Sequence, residues 1–228
     1  MMSRQRKDRV FIIDDHPVVR QGLAQLIHNE PDLCVCGEAG NAEAAIKALK
    51  VDEPDIVIAD ISLPGQSGID FIRDIKKMNI RVPVLVLSIY DESVYAERAL
   101  DAGARGYIMK QEAADVIIQA IRQIIGGDVY LSPSMTQQLL NKIVSNEGVK
   151  ESVPVPAVCL TDRELEVFQL IGKGYTSKEI ALRLNLSIKT IETYREHIKR
   201  KLHLKNYAEL IKSAAQWVLT ETSNDNMT

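Results

Sequence analysis

Short apolar runs alternate with longer amphipathic stretches through the first half of the chain, and the alternation stops near residue 126. The runs at 10–13, 33–36, 56–59, 84–87 and 107–109 read as strands, and the one at 56–59, rich in β-branched residues, reads as buried on both faces. Segments of helical composition lie near 17–29, 41–51, 66–78, 91–103 and 111–125. Five such units in series predict an α/β fold: a doubly wound, five-stranded parallel sheet with helices on both faces.

Beyond residue 126 the period changes. Gly126-Gly127 closes the fifth helix, and Ser132-Pro133 opens another that runs to about Val144 and stops at Asn146-Glu147-Gly148. Residues 149–157, V-K-E-S-V-P-V-P-A, have two prolines and no helical period, so an extended tether is expected. From 158 onward the apolar spacing is helical: Leu165, Phe168 and Ile171; Ile180 and Leu184; Ile191, Tyr194, Ile198 and Leu202; Leu210, Ala214 and Val218. Thr161-x-x-Glu164 and Thr176-x-x-Glu179 are capping boxes, while Ser187 and Asn206 can cap two further helices. A tight turn near Asn185-Leu186 joins the middle pair, which makes a helix-turn-helix. The expected organisation is a sheet domain at 1–126, a linker with one helix at 127–157, a small all-α four-helix domain at 158–220 and a disordered tail at 221–228.

Charge sharpens this division. The net charge of −3 conceals 15 Lys/Arg against 19 Asp/Glu in residues 1–126, and 11 against 9 in residues 158–228. Residues 183–205 alone carry seven basic and two acidic side chains, so the two halves suggest two jobs. The basic N-terminus precedes only four apolar residues, far too few for a secretion signal or a membrane span, and a cytoplasmic protein is expected. Three cysteines without ligand spacing read as small buried apolar residues.

The chemistry gathers at strand ends. Asp14-Asp15 follows the first strand, Asp60 ends the third, Ser88 the fourth, and Lys110 follows the fifth. Asp60 alone could be merely a strand cap. If the strands adjoin, however, three carboxylates converge on one edge, where oxygen-only ligands favour Mg²⁺. Lys110 supplies a cation and Ser88 a hydroxyl for phosphoryl oxygens, which suits phosphoryl transfer onto a carboxylate nucleophile.

The stretches D-D-H-P-V-V-R-Q-G-L, D-I-S-L-P-G-Q-S-G, L-S-I-Y-D and G-A-R-G-Y-I-M-K-Q resemble the landmarks of bacterial response-regulator receiver domains across residues 8–126. The resemblance implies Asp60 as phosphoacceptor, with Mg²⁺ held by Asp14, Asp15, Asp60 and the backbone carbonyl of Ser62. It further implies Ser88 and Lys110 as phosphoryl ligands and Tyr107 as a switch that swings inward. Ser88 stands where threonine is frequent, and Gln111 where many receivers have proline. A phosphohydrolase of the haloacid-dehalogenase type would need an Asp two residues after the nucleophile, where Ser62 stands.

Residues 159–219 resemble the LuxR-type DNA-binding domain of the NarL/FixJ class. That implies a recognition helix at 187–202, with Lys178, Lys189, Thr193, Lys199 and Lys201 contacting double-stranded DNA. Leu210, Ala214 and Trp217 would help form a homodimer on phosphorylation, although for Trp217 core packing is an equal alternative. Glu192 and Glu196 on the same helix either read a cytosine or pair with neighbouring cations. A sensor histidine kinase is the implied phosphodonor, and the chain is not expected to be an enzyme beyond its own phosphoryl transfer and dephosphorylation. A helical domain that binds protein instead of DNA is the alternative reading.

Overall fold

The structure, a computed structural model, describes residues 6–144 and 155–224. The chain forms two compact units that divide between Ser145 and Asn146. In the first, β1 (Asp8–Ile13), β2 (Leu33–Ala39), β3 (Ile56–Asp60), β4 (Val84–Ser88) and β5 (Gly106–Met109) pair in the order β2-β1-β3-β4-β5, every ladder parallel. The helices α1 (Pro17–His28), α2 (Ala42–Asp52), α3 (Gly68–Lys77), α4 (Glu92–Ala102) and α5 (Ala113–Ile125) follow the strands in turn.

Strand alternation sets the two layers. Val10, Ile12, Ile56, Ile58, Leu85, Leu87 and Ile108 share one cluster with Leu23 and Ile27 of α1 and Ile117, Ile121 and Ile124 of α5. Their neighbours Phe11, Ile13, Val57, Ala59, Val84, Val86 and Tyr107 are also buried, facing the opposite side of the sheet. All five residues of β3 are buried, as a central parallel strand requires. In β2 the pairing with β1 skips Cys36, whose thiol bonds instead to the Val10 carbonyl at 3.4 Å. Cys34 and Cys36 are half-buried and Cys159 is exposed, so the expectation of buried cysteines is corrected.

The connection from β3 to α3 depends on a close approach. Ser67 caps α3, and the Gly68 amide donates to the Ile61 carbonyl at 2.7 Å. A β-carbon at position 68 would lie 2.0 Å from the Asp60 carbonyl oxygen, a backbone atom with no freedom to retreat. Gly68→Ala is therefore expected to destabilise the sheet unit by about 2–3 kcal/mol, read as a lower urea midpoint.

After α5 the chain crosses beneath β5, where Tyr130 accepts from Tyr107 and donates to the Arg105 carbonyl. It then forms α6 (Pro133–Val144), which packs on α4: Met135 is buried and the Ser132 hydroxyl donates to Glu92 at 2.5 Å. The helix expected in a linker thus belongs to the sheet unit.

The second unit holds α7 (Val155–Cys159), α8 (Asp162–Gly172), α9 (Ser177–Arg183), α10 (Ile188–Lys201) and α11 (Tyr207–Asn224). The expected tether lies largely outside the described residues, but its end is helical, because Pro156 is tolerated in the first turn of α7. Helix α11 runs to Asn224, so residues 221–224 are not the unstructured tail expected; residues 225–228 lie outside the described residues. Phe168 and Trp217 pack with ring centroids 5.7 Å apart, and Gly172 lets α8 approach the Ala214 carbonyl so closely that a β-carbon would lie 2.3 Å from it.

Candidate functional site

The strand order places β1 and β4 beside β3, so residues 14, 60 and 88 meet at one edge without further design. Asp14 is 1% exposed and Asp60 2%. Ligand atoms of Asp14, Asp15, His16 and Asp60 all lie within 4.8 Å of one another. Lys110, carried on the loop after β5, spans the two buried carboxylates: its Nζ is 2.7 Å from Asp60 Oδ2 and 2.6 Å from Asp14 Oδ2. Gln111 in place of proline leaves this reach intact, and every peptide among the described residues is trans.

Burial pushes the Asp60 carboxyl up to about 6, with the Asp14 charge adding to the rise and Lys110 and the Ser62 amide opposing it. Burial likewise pulls on the Lys110 ammonium, but its two carboxylate partners outweigh it and leave the group above its ordinary value. The Ser62 N–H donates to Asp60 Oδ1 at 3.2 Å. This amide was not among the expected contacts, which named only the carbonyl of that residue.

Ser88 is fully buried, and its Oγ accepts from the Tyr90 N–H at 3.1 Å. Tyr107 is buried with its ring inward, and its hydroxyl donates to the Tyr90 carbonyl at 2.8 Å. Burial drives that phenol far above its usual range, a hydrogen bond with Ser88 opposing the shift. The residue expected to swing inward thus stands inward here, coupled to Ser88 through the β4–α4 turn.

Two contributors were missed. His16 donates its backbone N–H to Asp14 at 2.8 Å and sets Nδ1 2.7 Å from Asp15 Oδ1. Arg20 donates to the Asp14 carbonyl at 2.6 Å while pairing with Glu38 at 3.1 Å. Only adjacency to the Asp pair signalled the first, and nothing local signalled the second, because its partner sits on β2.

The three carboxylates of this cluster offer oxygen donors that fit a hard divalent cation, while the His16 ring pairs with Asp15. Asp14, Asp15 and Asp60 would hold Mg²⁺, which when bound offsets their mutual repulsion and the charge of an incoming phosphoryl group.

In the second unit both capping boxes are present, and Ser187 and Asn206 cap α10 and α11. The tight turn is made by Asn185 at φ 49°. Ile191 and Ile198 are buried, leaving Lys189, Glu192, Thr193, Glu196 and Arg200 exposed on α10 and Lys178 exposed on α9. The acidic residues pair along the helix: Glu192 with Arg195 at 2.9 Å and Glu196 with Lys199 at 2.7 Å. Arg195 is buried beneath Tyr207, its guanidinium 3.9 Å from the ring centroid. Of the expected DNA contacts, Lys199 is engaged by Glu196, and Lys201 reaches back to Glu164 of the capping box at 2.6 Å. Arg200, on the same face and omitted from that set, is exposed.

The residues expected at a dimer contact also differ. Leu210, Ala214 and Trp217 are buried, and Trp217 lies against Phe168 of α8. The large apolar side chains that α11 exposes are Tyr207, Ile211 and Leu219.

Residues 10–122 match the family described as response regulator receiver domain, and residues 158–214 that described as bacterial regulatory proteins, luxR family. The chain is 38% identical to the oxygen regulatory protein NreC of Staphylococcus carnosus over 208 residues, covering 90% of this chain and 96% of that protein. NreC of Staphylococcus aureus is 34% identical over 215 residues, covering 93% and 99%. Among solved structures, the RcsB response regulator of Salmonella typhimurium is similar at 27% identity and a TM-score of 0.63, covering 93% and 98%. An RcsB–DNA complex is similar at 27% identity and a TM-score of 0.60, covering 91% of this chain and 98% of that one.

Proposed function

The chain belongs to the response regulators that join a receiver domain to a LuxR-type helix-turn-helix domain, and from that premise we propose that Asp60 is its phosphoacceptor. The observation that carries this is the buried cluster in which Lys110 bridges Asp60 and Asp14. A sensor histidine kinase donates the phosphoryl group. The Asp60 carboxylate attacks phosphorus, the phosphorus–nitrogen bond of the phosphohistidine breaks, and the imidazole nitrogen leaves with the electron pair.

Asp14, Asp15, Asp60 and the Ser62 carbonyl hold Mg²⁺ in this reading. Lys110 turns from the free carboxylate to the acyl phosphate, and Ser88 gives its hydroxyl to a phosphoryl oxygen. Ser88 is also tied to Tyr90 and Tyr107, so drawing its hydroxyl toward phosphate disturbs the β4–α4 turn. Tyr107 reports that shift to the chain crossing beneath β5, through its N–H on Tyr130. The result biases assembly of a homodimer, whose α10 helices enter successive major grooves of double-stranded DNA. Lys178, Lys189, Thr193 and Arg200 meet DNA, and Lys199 and Lys201 contribute as far as their carboxylate partners release them.

The domain division proposed on this reading is a receiver unit that includes α6, to about residue 145, and a DNA-binding unit that begins after it and carries α7 to α11. Among the described residues no helix is long and apolar enough to cross a membrane, and we place the protein in the cytoplasm. The test is the solution mass of the wild type and of Asp60→Asn with Mg²⁺ and beryllofluoride, a phosphoryl mimic. The wild type is expected to pass from monomer to dimer while the variant does not. A wild type unmoved by the mimic would remove the proposed link between the site and assembly.

A further inference from the structure

The sheet unit contains a second concavity at the end remote from Asp60. It has a volume of about 680 Å³ and lies at the N-terminal ends of β4 and β5, walled by the C-terminal turns of α3 and α4. The remaining walls are the loop from Asn79 to Val82 and the chain after α5: Val129 and Leu131, on either side of Tyr130, and Leu139 of α6. That volume lies within the range of small-molecule sites.

The lining combines two chemistries. Ile72, Ile75, Ile80, Val84, Leu100 and Leu139 make a mostly aliphatic interior. Around it stand Lys76, Arg81 and Arg105, and among the described residues no carboxylate side chain lines the cavity. Lys76 lies in the last turn of α3, where a cation also complements the helix terminus, and its Nζ lies 3.7 Å from where a β-carbon on Gly103 would be. Arg81 and Arg105 lie outside the helices and have no helix terminus to neutralise. Both also face an adjoining depression with Asp55, whose carboxylate accepts the Arg9 N–H at 2.8 Å and pairs with Arg6 at 3.5 Å. Asp55 is therefore already held by other groups.

We propose that this cavity binds one amphiphilic monoanion, a medium-chain fatty carboxylate, with its chain among the isoleucines and leucines and its head group at Arg81 and Arg105. Charge complementarity decides the sign of the ligand, and the aliphatic walls decide its body. Leu131 and Leu139 form part of the wall, so occupancy bears on how α6 is seated against α4. The cavity shares no lining residue with the phosphoryl site at the opposite edge of the sheet.

The test uses the full chain and decanoate below its micelle-forming concentration, followed by calorimetry and by methyl NMR of isoleucine and leucine residues. Saturable one-to-one binding is expected, with shifts centred on Ile72, Ile80 and Leu139. Arg81→Ala/Arg105→Ala should weaken it roughly tenfold or more, since charge-assisted contacts are removed from exposed side chains without touching the core. Leu139→Glu, which adds a carboxylate to the wall, should weaken it in the same direction. Decanol and decyltrimethylammonium should bind more weakly than decanoate. Absence of saturable binding would overturn the proposal, as would equal affinity for the cationic amphiphile or an affinity unchanged in the double arginine variant.

Discussion

Asp60→Asn is expected to abolish incorporation of acid-labile phosphoryl from acetyl phosphate and, in Mg²⁺-free buffer, to make the protein more stable. The first follows because an amide is not a nucleophile toward phosphorus, and the second from burial. The carboxyl has an ordinary value of 3.8 and is pushed up to about 6 in the fold, so its ionised form is disfavoured there. An acid whose value rises on folding contributes stability below its unfolded value and loses that contribution as pH climbs through its folded one. The difference between variant and wild type should thus be small near pH 4 and grow to about 2–3 kcal/mol by pH 7.5. Urea titrations at several pH values read this directly. Lys110 keeps Asp14 as a partner at 2.6 Å in the variant, so the lysine is not stranded. Saturating Mg²⁺ should reverse the order, because the wild type gains a ligand that binds only its folded state. Phosphoryl incorporation undiminished in the variant would move the nucleophile elsewhere.

What could be read in advance was whatever local pattern dictates. The five strands announced themselves because parallel central strands are apolar on both faces, and the strand-end residues 14, 60, 88 and 110 followed from that topology. Both capping boxes were legible because a threonine and a glutamate three positions apart satisfy each other's backbone. The residues that escaped depend on contacts between distant segments. Arg20 supports Asp14 only because β2 brings Glu38 alongside. Lys201 looked like one more cation on a basic helix until the fold set it against Glu164, 37 positions away. The stripe of Leu210, Ala214 and Trp217 could have faced a dimer partner or the core, and only the approach permitted by Gly172 and the packing on Phe168 showed that it is core.

That distinction among the cations of α10 leads to the second large effect. Lys189→Ala should weaken binding to duplex DNA far more than Lys201→Ala, although both remove one lysine from the same helix. Lys189 is exposed near the N-terminus of α10, the end that enters the groove in a helix-turn-helix. Removing one lysine–phosphate ion pair changes the slope of log affinity against log salt by about 0.9, and a dimer carries the substitution twice. The slope should therefore flatten by about 2, and affinity at 0.1 M salt should fall roughly 10–100-fold. Lys201 has its charge committed to Glu164, where the capping box of α8 also donates the Thr161 N–H at 2.8 Å. Burial raises the Glu164 carboxyl, but Lys201 and Thr161 outweigh it and hold the group below its ordinary value. Lys201→Ala should accordingly leave the salt slope nearly unchanged and lower the thermal midpoint instead, since a mostly buried carboxylate is deprived of its cation. Fluorescence anisotropy across a salt series, paired with thermal unfolding, separates the two. If Lys201→Ala flattened the slope as much as Lys189→Ala, the ion pair with Glu164 would have to open on DNA, and Lys201 would count as a phosphate ligand after all.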